Sequence, residues 1–403
     1  MALLIVAAAV LLAAWPAPPP LYAGTATARP DTTWDNRFQA YGNSSGAWNG
    51  GDGAQALVLP GGATMWFFAD SYLGALSPGE TRSPFTTGTA HNSAVLYRNG
   101  VLGPTYAGSP GPFGYSGTGD YTWVGPPPPY SPARYELING DQVIDDGIVY
   151  KFFQLADRDL HPGGFGYKLV GTVIESFTID PATDALYPAG GRPAGVADWA
   201  GSDPLLWGAA TLAYHGYLYI YGVKPYHRGS DQYPLYLARV PAGGLAAGDA
   251  WQYFDGTPGC PGSGGWTADP AAAVPLRSGV SAGFSVSAVG GQLVLLTNDM
   301  SGAGSQNNAV AYYAGCPAGF SPGNPRYLVY QPHLPPGYLA YEYRVVPQFS
   351  HGASVLVSYS VSTTSLAGNF QVVSRYRPHF LDVRLPATGA RPRSSPGRSQ
   401  GDS

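Results

Sequence analysis

The chain has 403 residues, 11% of them charged, and a formal net charge of −4 at pH 7, which argues against nucleic acid or an anionic membrane surface as a partner. Its 56 Gly, 39 Pro and 13% aromatic residues are typical of short aromatic strands joined by many turns. A hydrophobic fraction of 44% is enough to bury a sizeable core, so the composition excludes a disordered chain.

The N-terminal segment resembles an export signal. Its first 14 residues form an apolar run that is too short to cross a bilayer. Ala26-Thr27-Ala28 has the small-x-small pattern of a signal peptidase site, although the usual Lys or Arg before the apolar run is missing. We therefore expect residues 1–28 to be a signal peptide and the protein to be secreted; the alternative is a buried helix of the mature fold. No later segment is apolar enough to anchor the chain in a membrane.

Five hairpin units follow, each with an inner strand, a turn that contains Gly and an aromatic or β-branched second strand. The predicted hairpins are Ala54–Leu59 with Thr64–Ala69, Gln142–Ile144 with Ile148–Leu155, Trp207–Tyr214 with Tyr217–Val223, Gly283–Val289 with Gln292–Thr297, and Tyr341–Val346 with Val355–Tyr359. The intervals hold candidate outer strands, at Ala94–Tyr97, Gly171–Ile179, Leu235–Val240 and Ala309–Tyr313.

Repeated hairpins of this kind predict an all-β fold, a five-bladed β-propeller formed by one domain over residues 29–388. We expect the last strand, Phe380–Leu385, to close the ring by pairing with the first blade, and residues 389–403 to be a disordered tail. A β-sandwich or a β-helix is the alternative. A sandwich of this length would more often be divided into two domains, and no linker marks such a division.

Acidic residues precede three consecutive inner strands. They are Asp52, Asp141 and Asp203. In a propeller these positions converge at the mouth of the central channel, and glycoside hydrolysis needs one carboxylate as base or nucleophile and a second, protonated carboxyl as acid. We predict that the three are catalytic. The alternative is that each makes an Asx-turn beside Gly.

Other polar residues are weaker candidates. We predict Asp70, His91, Asn92 and Trp207 as substrate-binding residues. Glu136 and Glu175 are candidate proton donors, because an acid in a strand is costly to bury without a partner. Glu342 and Arg344 alternate along the fifth inner strand and are expected to form an internal ion pair.

The two cysteines, Cys260 and Cys316, favour a disulfide after export and are too few for a structural zinc site. The seven His residues are scattered, and sequence patterns for a nucleophile elbow, a phosphate loop or a zinc protease are absent. We expect no cofactor; a structural Ca²⁺ near the channel is left open, with no residue pattern to support it.

Short segments spread from Trp48 to Leu385 resemble a known group of proteins. These segments are Trp48-Asn49-Gly50-Gly51-Asp52-Gly53, Met65-Trp66-Phe67-Phe68-Ala69-Asp70-Ser71, Asn92-Ser93, Gly140-Asp141, Trp207-Gly208-Ala209-Ala210, Tyr219-Ile220-Tyr221-Gly222, Val357-Ser358-Tyr359 and Tyr376-Arg377-Pro378-His379-Phe380. In this order they resemble secreted actinobacterial five-bladed propeller domains of unknown function, related to endo-D-arabinanases and to the arabinanase and levansucrase propellers. The resemblance implies that Asp52 is the first-blade acid and Asp141 the second-blade acid.

We therefore expect a secreted, monomeric glycoside hydrolase that acts on a cell-wall or extracellular polysaccharide, with arabinan as one candidate. Its partner would be a polysaccharide or oligosaccharide. The alternative is a non-catalytic propeller that binds carbohydrate or another surface. A lyase would need a Tyr or His base beside an Arg, and no such pair is evident in the sequence.

Overall fold

The computed structural model describes most of the chain. The described residues are 22–77, 79, 81–83, 85–108, 120–159, 167–194, 204–224, 233–247, 251–257, 265–302, 304–351, 354–363 and 366–386. Within them the protein is made mostly of strands with few helices, which confirms the all-β prediction. No helix in these ranges combines the length and the apolar character that crossing a membrane requires.

Two α-helices occur in the described residues, α1 at Thr32–Ser44 and α2 at Leu366–Gln371. Helix α1 begins after Asp31, whose carboxylate accepts hydrogen bonds from the backbone N–H groups of Thr33 and Trp34. The sequence analysis did not predict this helix, although an Asp followed by an aromatic residue three positions later is a recognisable helix start.

The strands account for the rest of the regular structure. In chain order they are β1 Gly24–Thr25, β2 Thr27–Pro30, β3 Trp48–Gly51, β4 Gln55–Val58, β5 Thr64–Phe68, β6 Ser71–Leu73, β7 Gly88–Ala90, β8 Ser93–Arg98, β9 Val101–Tyr106, β10 Asp120–Tyr121, β11 Tyr135–Asp145, β12 Ile148–Asp157, β13 Lys168–Ile179, β14 Leu186–Pro193, β15 Leu206–Tyr214, β16 Tyr217–Val223, β17 Tyr233–Pro241, β18 Gln252–Phe254, β19 Trp266–Thr267, β20 Arg277–Val280, β21 Phe284–Val289, β22 Gln292–Asn298, β23 Ala309–Ala314, β24 Tyr327–Tyr330, β25 Tyr338–His351, β26 Ser354–Thr363 and β27 His379–Arg384.

Five sheets follow one another along the chain, and each opens with one of the predicted hairpins. They are the first sheet β4-β5-β8-β9, the second β11-β12-β13-β14, the third β15-β16-β17-β18-β19 with β20 paired to β17, the fourth β21-β22-β23-β24-β1 and the fifth β25-β26-β27-β2. The opening strands contact one another in the cyclic order β4, β11, β15, β21, β25 and back to β4. The amino ends of these five strands therefore converge.

A separate hydrophobic cluster fills the space between each pair of neighbouring sheets. Leu137 and Phe67 belong to a cluster between the first and second sheets, and Leu295 and Leu237 to one between the third and fourth. Another cluster joins Trp66 of the first sheet to the fifth sheet and to helix α1. Burying a large apolar side chain contributes about 1.5–3 kcal/mol, so these clusters are the main stabilising feature of the arrangement.

A sixth sheet, β10-β7-β6-β3, extends the first sheet beyond the convergence of the opening strands. Strand β3 leads into β4 through Asp52, β5 leads into β6 through Asp70, and β7 leads into β8 through His91. The sequence analysis predicted one strand over Thr64–Ala69 that ends at Ala69. It did not predict that the chain continues into the sixth sheet.

The predicted role of the last strand is wrong. Strand β27 pairs with β26 and β2 inside the fifth sheet, not with the first sheet. The N-terminal strands β1 and β2 supply the outer strands of the fourth and fifth sheets. These pairings take up the edges that the prediction assigned to Phe380–Leu385, and they include residues that were placed in the signal peptide.

Candidate active site

Three polar residues lie at the junction of the first and sixth sheets, where strands are interrupted. The backbone N–H of Asp52 donates to the carbonyl oxygen of Asp70 over 3.2 Å, and the N–H of Ala69 donates to the carbonyl oxygen of Asp52 over 2.9 Å. His91 Nδ1 lies 3.4 Å from Asp70 Oδ1. The sheet junction thus brings together Asp52, Asp70 and His91, all predicted site residues.

Asp52 has an unusual electrostatic environment. Burial raises the pKa of its carboxyl well above the usual value, and the charges of Asp70 and Glu342 raise it further. A hydrogen bond from the hydroxyl of Tyr341 lowers this pKa in part. Tyr341 donates to Oδ2 over 2.6 Å, whereas Oδ1 is buried and has no hydrogen-bond partner in the described part of the chain. A carboxyl in this setting stays protonated at higher pH than usual, with Oδ1 available to hold the proton.

Glu342 lies beneath Asp52 because strand β25 bulges. The pairing of β25 with β26 shifts between Tyr341 and Arg344, and Glu342 has a φ of 54°, a conformation that is strained for a residue with a side chain. Its Oε2 would lie 2.8 Å from a Cβ added at Gly53, so only Gly fits there without a shift. Burial raises the pKa of Glu342, while the charges of Arg344 and Lys151 partly lower it.

The expected ion pair between Glu342 and Arg344 takes a different form. Arg344 is buried, and one terminal nitrogen of its guanidinium donates to the carbonyl oxygens of Ala209 and Phe284 over 3.2 and 2.7 Å. Arg344 therefore links the fifth sheet to the third and fourth sheets. Its charge reaches Glu342 through space.

His91 connects two carboxylates at the edge of the site. Its Nε2 lies 3.3 Å from Oε2 of Glu136, a buried residue of β11, and its Nδ1 faces Asp70. Arg158 Nε lies 4.0 Å from the same oxygen of Glu136. Burial raises the pKa of Tyr167, and the charges of Asp70, Asp52 and Glu136 raise it further, which places this ring beside the cluster. Of the two candidate proton donors, Glu136 and Glu175, Glu136 is therefore the one that His91 links to Asp70 and the cluster around Asp52.

Asp141 lies in the space between the five opening strands. Its Oδ2 accepts hydrogen bonds from the backbone N–H and the hydroxyl of Thr211, over 2.6 and 2.9 Å. It lines a cavity of about 440 Å³ together with residues of all five opening strands. Lys151, fully buried nearby, donates to Gln55 and to Gln142 over 3.1 and 3.0 Å, and burial lowers its pKa well below the usual value. Asp141 links the second and third sheets, and its predicted catalytic role stays a prediction.

Two predicted substrate-binding residues lie in the interior instead of at the mouth. Asn92 is buried; its amide donates to the carbonyl oxygens of Val124 and Leu137 and its oxygen accepts from the N–H of Val124, so its hydrogen-bonding capacity is used inside the fold. Trp207 is buried against Trp251 and Tyr253. Their predicted role in substrate binding stays a prediction.

The remaining predicted residues lie away from the site or cannot be placed. Glu175 Oε1 accepts from the N–H of Gly190 over 2.8 Å, between the outer strands β13 and β14 of the second sheet. Asp203 and Cys260 lie outside the described residues. Cys316 is buried, and its disulfide with Cys260 stays a prediction. No group of three or more His, Cys, Asp and Glu in the described residues is arranged to hold a metal ion.

The arrangement is suited to acid–base chemistry. Asp52 is a buried carboxyl that favours the protonated form, and Asp70 beside it is 66% exposed and faces an imidazole. Two carboxyls in such different environments can divide the roles of acid and base. The sequence analysis did not identify Glu342 as part of this site, because the bulge that brings it there has no signature in the sequence.

Comparison with known proteins gives a family and a fold. A family model described as a domain of unknown function (DUF5005) matches residues 35–385. No curated protein matches the chain. A candidate hydrolase from Bacteroides ovatus ATCC 8483 is similar in structure, with a TM-score of 0.67 and 18% identity over 90% of this chain and 92% of that chain. This likeness shows a shared fold alone.

Two arabinan-degrading enzymes are more distant structural neighbours. An endo-arabinase from Bacteroides thetaiotaomicron VPI-5482 gives a TM-score of 0.45 and 11% identity over 84% of this chain and 95% of that chain. The alpha-L-arabinanase of Cellvibrio cellulosa gives 0.44 and 11% over 85% and 94%. Both TM-scores are below 0.5, and neither likeness carries an argument about this chain.

Proposed function

The chain belongs to the family described as domain of unknown function DUF5005, and we propose that it is a secreted glycoside hydrolase that acts on a cell-wall or extracellular polysaccharide. The observation that carries this proposal is the pairing of a buried Asp52, which favours its protonated form, with the neighbouring exposed Asp70. Glycoside hydrolysis requires such a pair of carboxyls with opposite protonation states.

The proposal includes the architecture. The five sheets, whose opening strands contact one another in cyclic order, would be the five blades of a propeller around a central channel. The amino ends of these strands would then form the channel mouth, where Asp52, Asp70 and Glu342 meet. A site at the convergence of several sheets can receive side chains from all of them, as it does here from the first, second and fifth sheets.

In the proposed reaction Asp52 donates a proton to the glycosidic oxygen. Its Oδ2 accepts a hydrogen bond from the Tyr341 hydroxyl, so the proton would reside on Oδ1, which has no hydrogen-bond partner in the described part of the chain. Because Oδ1 is buried, a bound substrate must first displace the groups that cover it. The bond between the anomeric carbon and the leaving oxygen breaks as this proton is transferred. Burial holds the pKa of Asp52 well above its usual value, and the neighbouring charges of Asp70 and Glu342 raise it further, which favours the protonated acid.

Asp70 supplies the second carboxylate, which acts as base toward water or as nucleophile toward the anomeric carbon. His91 orients it, because one ring nitrogen faces Asp70 and the other faces Glu136. The buried Glu136 fixes the imidazole from behind. This assignment differs from the sequence prediction, in which Asp141 and Asp203 were the partners of Asp52.

A non-catalytic carbohydrate-binding protein is the second candidate. The observation that favours it is the position of Asp141, which is held by two hydrogen bonds from Thr211 in the channel wall. The second-blade acid implied by the family resemblance is then a structural residue. Such a protein would retain the mouth as a binding pocket without turnover.

The deciding experiment is incubation of the mature protein with mycobacterial arabinogalactan and a panel of plant and bacterial glycans, followed by chromatography of released oligosaccharides. Asp52→Asn and Asp70→Asn, measured separately, should each lower the rate by at least about 100-fold. Asp141→Asn is the matched carboxylate variant and should retain most activity if it is folded. If the protein binds a glycan but releases no product from any glycan, the hydrolase proposal is wrong and the non-catalytic carbohydrate-binding protein takes its place.

A further inference from the structure

One aromatic side chain stands out by its exposure. The chain has 29 Tyr, 15 Phe and 9 Trp residues. Among those that the structure describes, Phe85 alone has an exposed ring, with 85% of its surface accessible. Leaving a Phe in water forgoes the free energy that its burial would contribute.

The loop that carries Phe85 connects two strands that meet the proposed active site. Strand β6 leaves the site directly after Asp70, strand β7 returns to it directly before His91, and the segment between them lies at the far end of the sixth sheet. Phe85 is six residues before His91, which limits the distance along the chain to about 20 Å. The chain therefore keeps Phe85 within reach of a polymer that leaves the site beside His91.

The base of this loop is firmly held. The buried Arg82 guanidinium donates to the side-chain oxygen of Asn49 over 2.7 Å and to its carbonyl oxygen over 2.9 Å, and it lies 4.5 Å from the centre of the Tyr72 ring. The same group reaches the carbonyl oxygen of Tyr376 over 3.4 Å. The Tyr376 hydroxyl in turn donates to the carbonyl oxygen of Asp70 over 3.2 Å, so the loop and the active site share one support.

The turn next to Phe85 is also ordered by local hydrogen bonds. The N–H groups of Thr86 and Thr87 donate to the carbonyl oxygen of Ser83 over 3.1 and 2.9 Å, and the N–H of Phe85 donates to the Ser83 hydroxyl over 3.2 Å. A ring on a preorganised turn loses little conformational entropy when it binds a ligand. These hydrogen bonds tie the backbone of Phe85, Thr86 and Thr87 to Ser83.

From this placement we propose that Phe85 is a sugar-binding platform, which stacks against a sugar ring of a polysaccharide that extends from the active site. This inference rests on the proposed function for the identity of the ligand. The apolar face of a sugar ring can pack on a flat aromatic side chain, while its hydroxyl groups stay in water. The polymer would run from Asp52 and Asp70 along the sixth sheet to Phe85.

Binding measurements in the mature Asp52→Asn background test the inference without hydrolysis. The probes are soluble arabinan and arabinogalactan in native affinity electrophoresis, each compared with a short oligosaccharide of the same sugar. Phe85→Ala should raise the Kd for the polymer by roughly 3–10-fold and leave the Kd for a disaccharide unchanged. Phe85→Trp should retain binding, because it preserves a flat ring.

Val101→Ala is the control for loss of an exposed apolar side chain. Val101 is 67% exposed at the β8–β9 turn, at the end of β8 opposite to His91, and its replacement should not change the Kd. Equal polymer affinity of the Phe85→Ala variant and its parent would overturn the inference, and so would absence of binding to either polymer. If the wild-type protein releases no product but its polymer binding depends on Phe85, the proposed hydrolase activity is wrong and the proposed role of Phe85 in sugar binding is retained.

Discussion

The chemistry of Asp52 depends on a balance among its immediate neighbours. Burial and the charges of Asp70 and Glu342 favour the neutral carboxyl, whereas the hydroxyl of Tyr341 donates a hydrogen bond that favours the carboxylate. Tyr341→Phe removes this donor, so the pKa of Asp52 should rise further. An acid that stays protonated to higher pH should move the alkaline limb of the kcat/KM profile upward.

The profile of kcat/KM between pH 5 and 10 checks this prediction. Tyr214→Phe is the matched control, since Tyr214 ends strand β15 of the third sheet and its hydroxyl donates to the carbonyl oxygen of Gly315, which follows β23 of the fourth sheet. An alkaline limb that moves downward in the Tyr341→Phe variant, or equally in both variants, would show that Asp52 is not the titrating acid.

Glu175 allows a prediction about stability. Burial raises the pKa of its carboxyl to about 7, and hydrogen bonds from Gly190 and Ala189 lower it only in part. The unfolded chain releases this proton near the ordinary Glu value, so between pH 4.5 and 7 the unfolded state holds fewer protons than the folded state. The contribution of Glu175 is therefore fully present at low pH and is lost as the pH rises to about 7.

Glu175→Gln should remove this loss. The free energy of unfolding of the variant should exceed that of wild type by about 1–2 kcal/mol at pH 8 and should equal it at pH 4. The figure of about 1–2 kcal/mol includes a reduction for partial solvent screening of the carboxylate. Urea unfolding at the two pH values measures the difference. The same difference between variant and wild type at both pH values would contradict the assigned titration.

At the scale of single strands, bulges place the site and the channel. The pairing shifts between Asn139 and Gln142 in β11, between Trp207 and Ala210 in β15, and between Tyr341 and Arg344 in β25. Each shift lies near the amino half of an opening strand, where the five strands converge. The bulges rotate side chains that would otherwise point between sheets toward the centre.

Gly208 in the β15 bulge is required by two constraints. Its φ is +76°, and an added Cβ would lie 2.1 Å from Cγ of Phe152. Gly208→Ala should therefore lower the free energy of unfolding by at least about 3 kcal/mol. Gly216 has a similar φ of +78° with open space around it, so Gly216→Ala should cost only about 1 kcal/mol. Denaturant unfolding compares the two, and equal losses would mean that the contact with Phe152 is relieved easily.

The sequence predicted the hairpins well because their signals are local. A Gly-containing turn between aromatic or β-branched runs is readable over about ten residues. Helix α1 and the sixth sheet were missed, since β6 and β7 are only three residues long and their pairing depends on residues far apart in the chain. Asp52, Asp70 and His91 were found because they lie next to strands, whereas Glu342 enters the site through a bulge that only the three-dimensional pairing defines.

At the scale of the whole molecule, the first and last parts of the chain are joined. Strand β1 pairs in parallel with β24 of the fourth sheet, and β2 pairs with β27 of the fifth. Tyr22, before β1, donates a hydrogen bond to the fully buried Asp299 over 2.7 Å. Cleavage after Ala28, the site that the sequence analysis favours, would remove β1 and the first half of β2.

We therefore predict that the signal peptidase cleaves before Tyr22. A protein that starts at Arg29 should lose at least about 2 kcal/mol of unfolding free energy relative to one that starts at Tyr22, because Asp299 loses a hydrogen-bond donor and two sheets lose outer-strand residues. N-terminal sequencing of the exported protein, with urea unfolding of the two forms, tests this. An exported protein that begins at Arg29 and is as stable as the longer form would show that the fourth and fifth sheets are complete without these strands.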